Sequence, residues 1–187
     1  MSAHLLWERT PVRDGSQSQP YLFTKPAILA RLRFQGGMTM NQQMPHSHRL
    51  RLGRHSQAGQ VYMVTVVTIG RRPWFEDFWA ARVLVGHLKK EHALHRASTL
   101  AYVLMPDHLH WLMQLGEDVP LSQTVRSVKS LTTHRLGHPV WQRGYHDHAV
   151  RSDEDLQAMA RYIVANPVRA GLVSSVADYP HWDAMWL

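Results

Sequence analysis

Hydrophobic and polar positions fall into regular order only from about Arg49 onward. Val61-Tyr62-Met63-Val64-Thr65-Val66-Val67-Thr68-Ile69 is β-branched and aromatic almost throughout, which predicts a buried strand, and Gly70 to Pro73 breaks it. Phe75, Phe78, Ala81, Val85 and Leu88 then recur at helical spacing, with Lys89, Lys90 and Glu91 off that stripe. Leu100 to Met105 reads as a second apolar strand. Pro106-Asp107 is a tight turn, and His108 to Leu115 a third strand closed by Gly116 to Pro120. Leu121, Val125, Val128 and Leu131 mark a second helix, Gly137-His138-Pro139 stops it, and residues 140–150 read as a loop with a short strand. A last helix is expected to open at Ser152 as N-cap, with Asp155 three residues on and Leu156, Met159, Ala160, Ile163 and Val164 as its apolar stripe. Asn166-Pro167 ends it, because a residue before proline avoids the helical region. The order β-α-β-β-α-β-α predicts an α+β fold: a ferredoxin-like palm with a central antiparallel sheet, helices on one face and a C-terminal helix.

Residues 1–45 follow no such pattern. They are rich in Gln, Ser, Pro and Gly, as in Ser16-Gln17-Ser18-Gln19-Pro20, and read as a disordered or loosely packed extension. Met38, Met40 and Met44 offer alternative starts within or beside it. Residues 46–187 are expected to form a single domain, a size that suits the 187-residue chain. The chain has no cysteine, which excludes a disulfide-stapled fold, a zinc ribbon and a cysteine nucleophile together. No apolar run approaches the ~20 residues of a membrane span and no signal peptide opens the chain, so a cytoplasmic protein without membrane contact is expected.

Charge changes the picture. The net charge is +7, and residues 1–60 alone carry Arg9, Arg13, Lys25, Arg31, Arg33, Arg49, Arg51 and Arg54 against Glu8 and Asp14, a net +6. A basic arm of this kind fits a polyanionic partner or a solubilising tail equally well.

Two stretches carry candidate chemistry. In Asp107-His108-Leu109-His110-Trp111 the strand alternation puts both imidazoles on one face, roughly 7 Å apart along the backbone at ~3.3 Å per residue. That spacing suits two ligands of one ion, and equally two hydrogen-bonded histidines on a polar sheet face. Tyr162 lies off the apolar stripe of the last helix, and Asn166 follows one turn later on the same side.

Taken together, these stretches resemble the REP-associated tyrosine transposases, a branch of the single-tyrosine HUH (His-hydrophobic-His) transposases. The resemblance rests on Met105-Pro106-Asp107-His108-Leu109-His110, Trp141-Gln142-Arg143-Gly144, His148-Ala149-Val150-Arg151 and Tyr162-Ile163-Val164-Ala165-Asn166-Pro167-Val168-Arg169-Ala170-Gly171-Leu172. It runs from about Val61 to the end, some two thirds of the chain. It implies a metal-dependent single-strand DNA transesterase acting at short hairpins with a flanking guide sequence. His108 and His110 would hold a divalent metal, Tyr162 would be the nucleophile, and Asn166 the third ligand where related insertion-sequence enzymes carry glutamine. Two imidazoles and an amide oxygen suit Mg²⁺ or Mn²⁺ better than a closed zinc site. The resemblance also implies a protein that gathers on the nucleoid when bound to DNA, as a monomer or a homodimer.

Rival readings stay open beside it. One is a domesticated relative that binds hairpin DNA without cutting it. Another is a small zinc hydrolase using His108 and His110 with Asp107, His146 or His148. His146-Asp147-His148 is a second His-x-His, read as structural or substrate-contacting, as an outer shell of the active site, or as the true metal pair. Arg126, Lys129, Arg143, Arg151 and Arg169, with Arg49, Arg51 and Arg54, are candidate phosphate contacts, against the plainer reading of a solvated face. Trp111 and Trp141 are assigned to the core rather than to base stacking.

Overall fold

A computed structural model describes residues 56–151 and 154–186. Strand β1 (Val61–Val67) buries Tyr62, Val64 and Val66 and leaves the alternate positions half-buried. The chain then turns through a short 3-10 segment, Ile69–Arg71, in which Arg71 adopts a left-handed φ of 51°. A second such segment, Trp74–Glu76, buries Phe75 and leads into helix α1 (Phe78–Ala93). The Asp77 side chain caps α1 by accepting from the Ala80 amide at 2.7 Å, so the helix starts at Phe78. The apolar stripe is therefore Ala81, Leu84, Val85 and Leu88, while Phe78, expected on it, is 62% exposed. Phe78 sits in the first turn, ahead of the stretch that meets the sheet.

Strands β2 (Ala97–Met105) and β3 (His108–Leu115) form a hairpin around Pro106-Asp107, with an extra residue between Thr99 and Ala101 on β2. Helix α2 (Leu121–Leu136) ends on Gly137 in the left-handed conformation (φ 77°), where glycine carries no Cβ penalty. Strand β4 (His146–Ala149) follows, then α3 (Leu156–Val164) and the single turn α4 (Asn166–Arg169). The expected Ser152 cap lies outside the described residues. The cap seen is Asp155, whose carboxylate accepts from the amides of Gln157 and Ala158 at 2.8 and 3.0 Å. Helix α3 stops at Val164 with Ala165 as its C-cap, but Asn166, expected to avoid the helical region ahead of Pro167, is itself the first residue of α4, with the proline in that same turn, where its missing N–H costs nothing.

A further strand that periodicity did not predict, β5 (Trp182–Ala184), pairs with β2. Three residues are too few to carry an alternation. The sheet order is β4-β1-β3-β2-β5, every neighbour antiparallel. β3 lies between β1 and β2, the split β-α-β arrangement of a ferredoxin-like palm.

The register sorts side chains between two faces. His108, His110 and Leu112 pair with Met105, Val103 and Ala101 on one side and with Val67, Thr65 and Met63 on the other. This face is covered by α3: Ala160, Ile163 and Val164 pack with Ala101, Val103, Met105 and Leu112. Leu109 and Trp111 point the other way, toward Val125 and Val128 of α2, and α1 packs beside α2. Trp111 is fully buried with its indole N–H donating to Thr99 Oγ1 at 3.0 Å, and Trp141 is buried against Phe75, both as assigned. No helix among the described residues is long and apolar enough to cross a membrane.

Candidate active site

His108 opens β3 and His110 follows two residues on, so both imidazoles stand on the face that α3 covers. Their ring centroids are 4.8 Å apart and the rings are nearly perpendicular. Each ring is held through its Nδ1. His108 Nδ1 meets Asp107 Oδ1 at 2.5 Å, and Asp107 is held in turn by Arg71, whose Nη1 donates to Oδ2 at 3.0 Å. His110 Nδ1 lies 3.0 Å from Thr65 Oγ1, its register partner on β1. The Asp107 carboxylate accepts, so His108 donates from Nδ1 and its Nε2 faces away from that partner, whereas the Thr65 hydroxyl can either accept from or donate to His110 Nδ1.

Burial pushes His110 down to about pKa 4, and the neighbouring His108 and Arg169 charges push the same way, so the ring is neutral at ordinary pH. Burial alone would raise the Asp107 carboxyl. The His108 hydrogen bond and charge, with the Arg71 pair, outweigh it and hold Asp107 below the usual carboxylate range. Asp107 is therefore an anion beside His108, oriented as a partner of the ring rather than as a free ligand.

Tyr162 projects from α3 away from its buried stripe and is 64% exposed. The Arg169 guanidinium lies over its ring, 3.7 Å from the centroid. Arg169 Nη2 also donates to Asn166 Oδ1, while Asn166 Nδ2 donates to the Ile163 carbonyl at 2.8 Å. Arg169 thus joins three of the expected site residues: its charge reaches His110, its planar head covers Tyr162, and its N–H engages Asn166. Among the described residues no three His, Cys, Asp or Glu side chains cluster as a metal site. An amide oxygen such as that of Asn166 is a donor type that a hard cation accepts.

The remaining candidates separate. His146 and His148 share the histidine face, His146 in register with Thr65 and His148 with Met63, but on the exposed edge strand. His148 Nε2 is paired with Glu154 at 3.0 and 3.1 Å, and Glu154 also accepts from the Arg151 amide at 2.6 Å. Arg126 and Lys129 sit on α2, on the opposite side of the sheet from His108 and His110. The Lys129 ammonium donates to the carbonyls of Gln142 and Gly144 at 2.8 and 2.6 Å, fastening the loop before β4. Arg143 and Arg151 are exposed on either side of β4. Arg49, Arg51 and Arg54 lie outside the described residues. Sequence reasoning missed Thr65 as the partner of His110 and Arg71 as the partner of Asp107. Thr65 was the one readable signal, a hydroxyl in mid-strand within an apolar run.

Comparison with known proteins identifies the family. The family model described as "Transposase IS200 like" matches residues 56–166. A REP-associated tyrosine transposase of Escherichia coli (strain K12) is 36% identical over 83 residues, covering 43% of this chain and 50% of the relative. A Haemophilus influenzae relative is 33% identical over 99 residues, covering 44% of this chain and 56% of its own. The match thus spans about half the length of these curated relatives. A solved structure of a REP-associated tyrosine transposase bound to a REP hairpin superposes with a TM-score of 0.62 at 28% identity, over 69% of this chain and 79% of that one. Because the family model takes in well over half of the 187 residues, including both histidines, Tyr162 and Asn166, the chain belongs to the IS200-like transposase family.

Proposed function

We propose that the chain is a divalent-metal-dependent single-strand DNA transesterase that cuts and rejoins DNA at short hairpins through Tyr162. One observation carries the reading. Two imidazoles 4.8 Å apart have each Nδ1 tied to a partner, and the same face of the sheet is covered by the helix that exposes Tyr162. The hairpin substrate is supported by the solved relative, described as bound to a REP hairpin.

In this reading His108 Nε2, His110 Nε2 and Asn166 Oδ1 would hold Mg²⁺ or Mn²⁺. The donor set fits, since it offers neutral nitrogens and an amide oxygen and leaves positions open for phosphate oxygens. When bound, the ion polarises the scissile phosphate and neutralises charge on its oxygens. The Tyr162 oxygen loses its proton and attacks phosphorus in line. The bond to the 3′ oxygen breaks, and that oxygen takes up a proton and leaves as a hydroxyl. The product is a 5′-phosphotyrosine, which keeps the energy of the broken ester, so a later 3′-hydroxyl rejoins the strand without a nucleotide cofactor. Asp107 accepts from His108 Nδ1 and so keeps its Nε2 as the acceptor nitrogen, and Thr65 holds the orientation of the His110 ring through its Nδ1. Arg143 and Arg151, exposed beside β4, and the Arg49, Arg51 and Arg54 segment ahead of β1 supply phosphate contacts; His146 and His148 act as an outer shell.

The test is covalent capture. With Mn²⁺ and an end-labelled hairpin oligonucleotide taken from beside its own gene, the protein forms an adduct that survives SDS. Tyr162→Phe abolishes the adduct and keeps hairpin binding. An adduct that persists in Tyr162→Phe but disappears in Tyr145→Phe moves the site to His146 and His148. Tight hairpin binding with no adduct from wild type makes the protein a non-cleaving binder.

A further inference from the structure

Arg169 engages the Asn166 oxygen, which the proposed reaction needs free, and lies over the ring of Tyr162. The Asn166 carboxamide orientation is fixed from both ends, because Nδ2 donates to the Ile163 carbonyl at 2.8 Å and Oδ1 accepts from Arg169 Nη2. The oxygen that would bind a cation is therefore the one the guanidinium occupies. The same guanidinium lies 3.7 Å from the centre of the Tyr162 ring, on the exposed side of α3. Arg169 is itself exposed at the end of α4, with its backbone amide anchored to the Ala165 carbonyl at 3.0 Å. Its head can swing away without disturbing the core. Two positive groups on one amide oxygen repel at a separation of a few ångströms, so guanidinium and divalent ion compete there. A phosphate gives the guanidinium a better partner, since its planar fork matches two phosphate oxygens.

We infer that Arg169 is a latch on the resting site, holding the Asn166 oxygen and covering Tyr162 until an arriving scissile phosphate draws its guanidinium away. Cation binding and DNA binding are thereby coupled through one positioning residue: the site takes the ion tightly only once DNA has taken the arginine. The inference rests on the reading of Asn166 as a metal ligand.

The experiment titrates Mn²⁺ by calorimetry into the full chain carrying Tyr162→Phe, so that no turnover intervenes. Without DNA, adding Arg169→Ala tightens Mn²⁺ binding at least about fivefold, the low end of ordinary coupling between sites. Arg169→Lys, which keeps the charge and loses the fork, falls between the two. The gain disappears when Asn166→Ala is also present, and it shrinks once hairpin oligonucleotide saturates the protein. Mn²⁺ affinity that is unchanged or weaker in both Arg169→Ala and Arg169→Lys overturns the latch. If wild type still forms the phosphotyrosine adduct in that case, the proposed function stands without it. If the Tyr162→Phe protein binds no Mn²⁺ and wild type forms no adduct, the underlying reading falls and takes the latch with it.

Discussion

The chain carries the same three-residue pattern twice, His108-Leu109-His110 on the central strand β3 and His146-Asp147-His148 on the edge strand β4. Both pairs present their imidazoles to the face under α3, and Thr65 stands between them, in register with His110 on one side and His146 on the other. What separates them is their surroundings. The central pair is flanked by paired strands, and Asp107 and Thr65 hold its Nδ1 atoms. At the edge, the His148 side chain is half exposed and its Nε2, the nitrogen a metal would need, is spent on Glu154. Spacing alone decides which face a side chain occupies. Whether two rings are preorganised for one ion depends on neighbours from elsewhere in the chain, because an imidazole that can rotate loses ordering entropy when it binds.

The largest effect that tests this contrast is on cleavage. His108→Ala or His110→Ala should lower the rate of hairpin cleavage by about a thousandfold or more, since several kcal/mol of charge stabilisation go with the ion. His146→Ala and His148→Ala should cost about tenfold, the low end of an outer-shell effect, because both rings stand on the exposed edge strand and His148 is engaged by Glu154. Single-turnover assays with end-labelled oligonucleotide check both, and the reverse order would transfer the site to the edge strand.

Next in size is the loss of an orienting partner. Asp107→Ala and Thr65→Val keep both imidazoles but release Nδ1, and each should weaken Mn²⁺ binding by about 10- to 100-fold. Calorimetric Mn²⁺ titration measures it. Glu154→Gln, which releases His148 instead, should leave Mn²⁺ affinity where it was.

A smaller effect lies in the pH dependence of stability. Burial pushes His110 and His181 down to about pKa 4, so the folded state binds fewer protons than the unfolded chain between about 4 and the ordinary histidine value near 6.5. Their contribution to stability is complete above that upper value and is lost as pH falls through about 4. Thermal melts should therefore drop across this window. His110→Gln should flatten the drop. The smallest effect is that of the edge pair itself: removing the exposed His148–Glu154 contact should leave the melting temperature at pH 7 unchanged, because exposed ion pairs contribute little.

Much of the architecture was legible because it follows from local periodicity. The strand from His108 to Leu115 was readable to the residue, and the turn at Pro106-Asp107 follows from the restricted backbone of proline, whereas Asn166, expected to leave the helical region ahead of Pro167, opens α4 instead. The start of α3 was misjudged, since several acidic and hydroxyl side chains in a row offer competing caps and only packing selects Asp155. Phe78 was misplaced onto the core stripe for a related reason: helical spacing counts residues without knowing where the helix begins.

The sequence by itself determined that two imidazoles share one strand face and that a tyrosine leaves the apolar side of its helix. Both follow from the fixed periods of 2 and 3.6 residues. Tertiary structure decided the rest. It put Thr65, 45 residues earlier, against His110, and Arg71, 36 residues earlier, against Asp107. It also laid α3 over the same face as the histidines and set the second His-x-His at an exposed edge. Such contacts join residues distant along the chain. They depend on sheet register and helix packing, which a local pattern cannot encode.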